Sequence, residues 1–301
     1  MNASLQRVFV LAWALVLAGV CVGLIVGVAT GILLLGLAVV FALPIVLMLQ
    51  FLVMGLVNGG IRGLGLRRGD LLRAWPLELA ASVRVFGWQQ PFRSGSLPDV
   101  LPQHPHGRRG VLLVHGFACT RGLWLPWMRR LRQRGDPHLA ITLEPPWGPI
   151  EAYCDAIEAA VVRLERSTGL APVVVAHSMG GLAVRAWWVQ QPPQRLHRLI
   201  TIGTPHQGTL LAALGPLPNV RQMRRSSPWL AALAQKEQAA HRQRVVCFWS
   251  PCDNIVFPAP TATLDGADNR LLRGAGHMRM IWRGEPWDEL QRCLAPAPQV
   301  H

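Results

Sequence analysis

Residues 172–181 read Pro-Val-Val-Val-Ala-His-Ser-Met-Gly-Gly, and the reading of this stretch decides the fold. Its apolar, β-branched run predicts a buried strand, and the segment that follows, GGLAVRAWWVQQ (180–191), predicts a helix. Small residues stand two before and two after Ser178, at Ala176 and Gly180. A sharp strand-to-helix turn requires this, because larger side chains there would collide with neighbouring backbone. Such a turn lifts the serine hydroxyl above the sheet and points a helix N-terminus at it.

Outward from this turn, short apolar runs recur: 111–117 (VLLVHGF), 139–145 (LAITLEP), 196–205 (LHRLITIGTP), 244–250 (RVVCFWS) and 269–277 (NRLLRGAGH). Between them lie helical stripes, such as Ile150, Cys154, Ile157, Val161 and Leu164, or Trp124, Trp127 and Leu131. Strands alternating with helices predict an α/β fold, a mostly parallel sheet covered on both faces. In an open parallel sheet the site lies at the carboxyl ends of the strands. Two further groups fall there. Asp253 follows 244–250, and His277 ends the last run in Gly-Ala-Gly-His. A serine hydroxyl needs a base to take its proton and a carboxylate to orient that base. Ser178, His277 and Asp253 fit those roles, with Asp265 and Asp268 as weaker candidates for the acid because they precede the last strand. Backbone N–H groups of Met179, at the helix start, and Phe117, after the first strand, are the expected oxyanion donors. His115, His177, His206 and Trp229 are candidates for the pocket wall, with packing or loop-holding roles as the alternative for the histidines. His104 and His106 lie in a Pro-rich connector without further ligands, and no metal site is expected.

Taken as a set, HGF at 115, AHSMGG at 176, GTPHQGT at 203, the Asp253 segment and GAGH at 274 resemble the α/β-hydrolase superfamily, in particular bacterial lipases and esterases. The resemblance covers about residues 108–295. It implies an α/β-hydrolase fold with a small cap and hydrolysis of carboxylic esters through an acyl-serine, with no metal or organic cofactor. Ala176 stands where the usual motif has Gly. The cap is expected at about 207–241, with Pro216, Pro218, Met223, Pro228, Trp229 and Leu230. An acyltransferase or thioesterase using the same residues is the alternative, and a non-catalytic scaffold the more distant one.

Composition adds a second element. The 301 residues are 51% hydrophobic and only 15% charged, which excludes a disordered chain. From Val8 to Ile61 there is no charged residue or histidine. A membrane span needs about 20 apolar residues, so this run predicts a two-helix transmembrane hairpin, with spans at about 8–28 and 32–57 and a break near Ala29-Thr30-Gly31. The expected organisation is therefore a hairpin over 1–61, a connector over 62–107 with an interfacial helix or one packed on the domain, and a hydrolase domain over 108–301. Leu71, Leu72, Trp75, Leu79 and Val83 mark the connector helix. Arg7 before the hairpin and Arg62, Arg67, Arg68 and Arg73 after it favour a bacterial inner membrane with the domain on the cytoplasmic side. The net charge is +14, carried almost wholly by scattered arginines with Lys236 the one lysine. No recognition motif accompanies it, so a nucleic-acid partner is not expected; a basic face toward anionic lipid is. Oligomeric state leaves no mark in the sequence.

Overall fold

The computed structural model describes residues 3–26, 30–104 and 107–295. Of the break expected near Ala29-Thr30-Gly31, Ala29 lies outside the described residues, as does His106, whereas Thr30 and Gly31 already belong to the second helix. Six strands form one parallel sheet: β1 (Val111–Val114), β2 (His138–Ile141), β3 (Val173–His177), β4 (Arg198–Ile202), β5 (Val245–Trp249) and β6 (Asp268–Leu271), in the order β2-β1-β3-β4-β5-β6. Each coincides with one of the six apolar runs. The helices, in chain order, are α1 (Ala3–Val26), α2 (Thr30–Gly59), α3 (Arg68–Ser82), α4 (Gln90–Arg93), α5 (Leu125–Arg134), α6 (Cys154–Thr168), α7 (Met179–Trp188), α8 (Pro218–Gln222), α9 (Pro228–Lys236), α10 (Ala239–Arg242) and α11 (Gly284–Leu294).

Because both faces of the sheet are covered, successive strand residues go to different cores although all are apolar. Leu112, Val114, Val174 and Ala176 pack with Ile157, Val161 and Leu164 of α6, Leu182 of α7 and Leu230 and Leu233 of α9. Val111, Leu113, Val173 and Val175 pack on the opposite side with Trp127, Met128 and Leu131 of α5 and Leu290 of α11. Gly135, at φ 70°, closes α5 in the left-handed region that favours glycine. The chain starts at β1, moves outward to β2, then crosses back to β3. Strand order therefore reverses between β1 and β3, and an open parallel sheet places its site at the carboxyl ends beside such a reversal.

The N-terminal helices are seated on this sheet through polar side chains. Asn58 near the end of α2 is fully buried; its Nδ2 donates to Pro251 O (2.9 Å) and its Oδ1 accepts the Ala259 N–H (2.9 Å). Gln50, two turns earlier, accepts from Asn254 Nδ2 at 2.8 Å, and Gln6 of α1 donates to Ala118 O at 3.3 Å. Phe51 and Met54 bury against Ala74, Cys252 and Phe257. The rest of the hairpin carries exposed apolar side chains, among them Leu15, Val22, Phe41, Met48 and Leu52. Ala3–Gly23 and Phe41–Gly59 are long and apolar enough to cross a membrane.

The connector forms α3, a π-helical stretch over Val83–Gln89, and α4. Of the expected stripe, Leu71 and Trp75 pack on the α2 contact, whereas Leu72 and Val83 are exposed. The buried face is instead Ala74, Glu78, Ala81, Ser82 and Val85. Asn58→Ala would strand a buried amide and carbonyl, and is expected to cost about 2–4 kcal/mol in denaturant unfolding in detergent.

Candidate active site

Ser178 stands between β3 and α7, capping the helix, with φ 55° and ψ −131°. This non-glycine backbone lies in a region that L-residues rarely enter, and of order 1–3 kcal/mol of strain must be held by the surroundings. Three fastenings do so: Ser178 N–H donates to Ile202 O (2.9 Å), and Ser178 O accepts from Thr204 Oγ1 (2.9 Å) and Gly181 N–H (3.0 Å). The glycines around the turn are required by space. A Cβ on Gly180 would lie 2.4 Å from His115 O, and one on Gly181 2.2 Å from Thr204 Oγ1. From the other side, a Cβ on Gly116 would stand 2.6 Å from Ser178 Cβ. That approach brings the loop after β1, with Phe117, against the serine, while Met179 begins the helix on its far side. Phe117 packs against Trp147 in a tilted arrangement, with ring centroids 5.5 Å apart.

Asp253 and His277 meet above β4 and β5. His277 Nδ1 lies 2.9 Å from Asp253 Oδ1 and 3.0 Å from Oδ2. Asp253 is fully buried and its Oδ1 also accepts the N–H groups of Ile255 (2.9 Å) and Val256 (2.8 Å), which fixes the carboxylate. Gly203, at φ 59°, leaves room for both partners: a Cβ there would come within 3.1 Å of Asp253 Oδ2 and of His277 Nδ1. Burial works against a charged His277, but the Asp253 charge and hydrogen bond and then the Glu78 charge outweigh it, so its pKa is raised above the ordinary 6.5. Of the other aspartates weighed from sequence, Asp268 is paired with Arg270 at the far edge of the sheet (2.5 Å).

The remaining candidates divide. His177 packs its ring on His277, centroids 4.5 Å apart, with Nε2 3.2 Å from His277 O, and burial and then the His277 charge hold its pKa well below 6.5. His115 bridges two loops, its Nδ1 2.7 Å from Gly116 O and its Nε2 accepting the Leu143 N–H at 2.9 Å; burial lowers its pKa to about 4. His206 lies in a buried polar network instead, between Arg185 (3.1 Å), Thr201 (3.0 Å) and Cys247 (3.3 Å). Arg185 in turn holds Glu237 through two bonds of 2.6 and 2.8 Å, tying α7 to the segment after α9. Trp229 sits on α9, against the first core, with its indole N–H donating to Glu151.

Sequence reading missed the contribution of the N-terminal segment. Asn254, whose Nδ2 is held by Gln50, accepts the His277 N–H at 3.2 Å. Gln90, next to the π-helical stretch, accepts the Thr120 N–H in the loop after β1. Glu78 of α3 accepts the N–H groups of Met278 and Arg279. The signal for Glu78 was available: it is a single acid flanked by apolar residues in Pro76-Leu77-Glu78-Leu79-Ala80.

A parallel sheet with flanking helices, a strained serine at its switch point, and an Asp–His pair in the loops after β5 and β6 define an α/β hydrolase. The chain belongs to the alpha/beta hydrolase family, whose model matches residues 111–297. Among solved structures it is similar to the Bacillus licheniformis lipase BlEst2 in its mature form, with a TM-score of 0.56 and 15% identity over 66% of this chain and 97% of that one. It is also similar to Aspergillus fumigatus lipase B, with a TM-score of 0.52 and 17% identity over 62% of this chain and 54% of that one. At such identities the likeness establishes the fold. No curated protein matches the sequence.

Arg185→Met would leave Glu237 buried beside only the more exposed Arg242. It is expected to lower stability by about 3–5 kcal/mol, read by chemical denaturation.

Proposed function

We propose that the chain is a membrane-anchored serine hydrolase of carboxylic esters, acting on lipid or acylglycerol-like substrates. The observation that carries this reading is the Asp253–His277 pair at the strand ends beside the elbow of Ser178. In this reading Ser178 Oγ attacks the acyl carbon and His277 Nε2 takes its proton. Asp253 holds Nδ1 and stabilises the imidazolium that forms. The negative oxygen of the tetrahedral intermediate is received by the N–H groups of Phe117 and Met179. His277 then protonates the departing alkoxide, and water repeats the sequence on the acyl-serine to release the acid.

The membrane part of the proposal is supported by the hairpin. The 24 residues of α1 measure roughly 36 Å, enough for the hydrocarbon core of a bilayer. The polar contacts of Gln6, Gln50 and Asn58 lie at its base, next to the loops after β1 and β5. These contacts support a site at the foot of the hairpin, where lipid esters would be presented. Arg62, Arg67 and Arg73 follow the second helix and suit the anionic, cytoplasmic leaflet of a bacterial inner membrane. The exposed side chains of the 207–241 cap, Leu214 above all, suit an apolar substrate and a lid that opens at the lipid surface.

Ser178→Ala is expected to lower kcat on a nitrophenyl ester about a thousandfold or more and to abolish labelling by a fluorophosphonate. Retained turnover would remove the serine mechanism. Because a protonated His277 cannot accept the serine proton, and its pKa is raised, kcat/KM should fall on acidification through a value above 6.5.

A further inference from the structure

Glu78 is a carboxylate that the serine mechanism does not use, yet it is 1% exposed and lies against the turn that carries His277. Its Oε1 accepts the Met278 N–H at 2.8 Å and its Oε2 the Arg279 N–H at 2.9 Å, so one side chain satisfies two successive amides directly after the histidine. The fit is close. A Cβ on Gly276, on the other side of His277, would come 2.5 Å from Glu78 Oε2. Glu78 belongs to α3, before the segment 111–297 that the family's model matches.

We propose that Glu78 is a positioning residue of this site: its carboxylate clamps the 276–279 turn and so holds the His277 ring on Asp253. The proposal rests on the Ser178–Asp253–His277 reading. The ionised carboxylate presents one full acceptor oxygen to each amide; protonation weakens one of them as an acceptor and opposes an N–H to an O–H. The clamp therefore works above the pKa of Glu78 and loosens below it. The titratable groups facing it are His277 on the clamped turn and Asp253 on the loop after β5, with His177 of β3 beneath His277. The clamped turn also brings Arg279, through its backbone amide, and α2 brings the uncharged Gln50 and Asn58 to the neighbouring loop. Burial raises the pKa of Glu78 to about 7, against the two amides and the His277 charge, which lower it. Its negative charge in turn raises the pKa of His277. Ionised Glu78 thus orients the base and strengthens it.

The test is Glu78→Gln in the full-length protein in detergent, assayed on a nitrophenyl ester beside wild type and Ser178→Ala. The carboxamide keeps one acceptor and no charge. Expected are a fall in kcat of about tenfold or more with little change in KM. The acid limb of kcat/KM should also move to lower pH by about half a unit or more, because the charge that raised the pKa of His277 has gone. Gly276→Ala, which pushes the carboxylate aside without changing its charge, should lower kcat similarly, and it carries the test if Glu78→Gln does not fold. Wild-type kcat in both variants, or a lower kcat with an unmoved acid limb in Glu78→Gln, overturns the proposal. If Ser178→Ala itself stays active, the serine reading fails instead, so the two failures are told apart.

Discussion

The backbone of Ser178, held at φ 55°, is the constraint around which the rest of this molecule is arranged. A serine placed there costs free energy that its own contacts cannot return, so the cost must be met by neighbours that leave the turn no alternative. Those neighbours come from three strands and the loops that follow them. The loop after β1 brings Gly116, close enough to exclude a side chain; β3 runs into the turn; β4 ends in Ile202, which with Thr204 just beyond it bonds Ser178 N and O. The glycines at 116, 180, 181 and 203 are all explained by one crowded volume.

A second feature is the way the N-terminal helices enter that volume. Three loops at the carboxyl ends of the sheet are fastened by polar side chains from outside the sheet domain: the loop after β1 by Gln6 and Gln90, the loop after β5 by Gln50 and Asn58, and the His277 turn by Glu78. Helices that only tethered the domain would have no need of such contacts. A buried amide without a partner costs about 1–3 kcal/mol, so these bonds specify one seating of the hairpin, whereas apolar packing alone would tolerate several. The π-helical stretch over Val83–Gln89 belongs to the same arrangement. Its extra residue per turn ends in Gln89 and Gln90, whose backbone packs within 3.1 Å of the Cβ position of Gly122.

Electrostatics at the site set function against stability. Burying Glu78 raises its pKa above that of an unfolded glutamate, so the folded state favours the protonated form. Its contribution to stability is fully present below about 4.5 and is lost as the pH climbs through about 7. The ionised form that best accepts the two amides is therefore the form the fold tolerates least. His277 shows the opposite balance, since its charge is favoured by Asp253 and Glu78 in spite of burial.

The sheet, its helices and the positions of Ser178, Asp253 and His277 were legible in the sequence because each rests on a local pattern. Apolar runs report buried strands, a 3.6-residue stripe reports a helix, and glycines beside a serine report a tight turn. The 54 residues without charge likewise reported two long apolar helices. What tertiary structure decided was the partner of each polar side chain. Gln6, Gln50 and Asn58 are invisible to a hydropathy reading, because one amide per several turns barely alters an apolar average, yet each finds a partner 112 to 204 residues away. His206 could be placed near the site by its motif, but its enclosure by Arg185, Thr201 and Cys247 depends on how α7, β4 and β5 pack. The connector helix was expected to lie at an interface or pack on the domain through Leu71, Leu72, Trp75, Leu79 and Val83, and it buries Glu78 because the His277 turn offers two amides that no apolar side chain could satisfy. Periodicity encodes which face of an element is apolar. Which polar atom it must meet across the fold is set only when the elements are packed together, since hydrogen bonds depend on positions to within a fraction of an ångström.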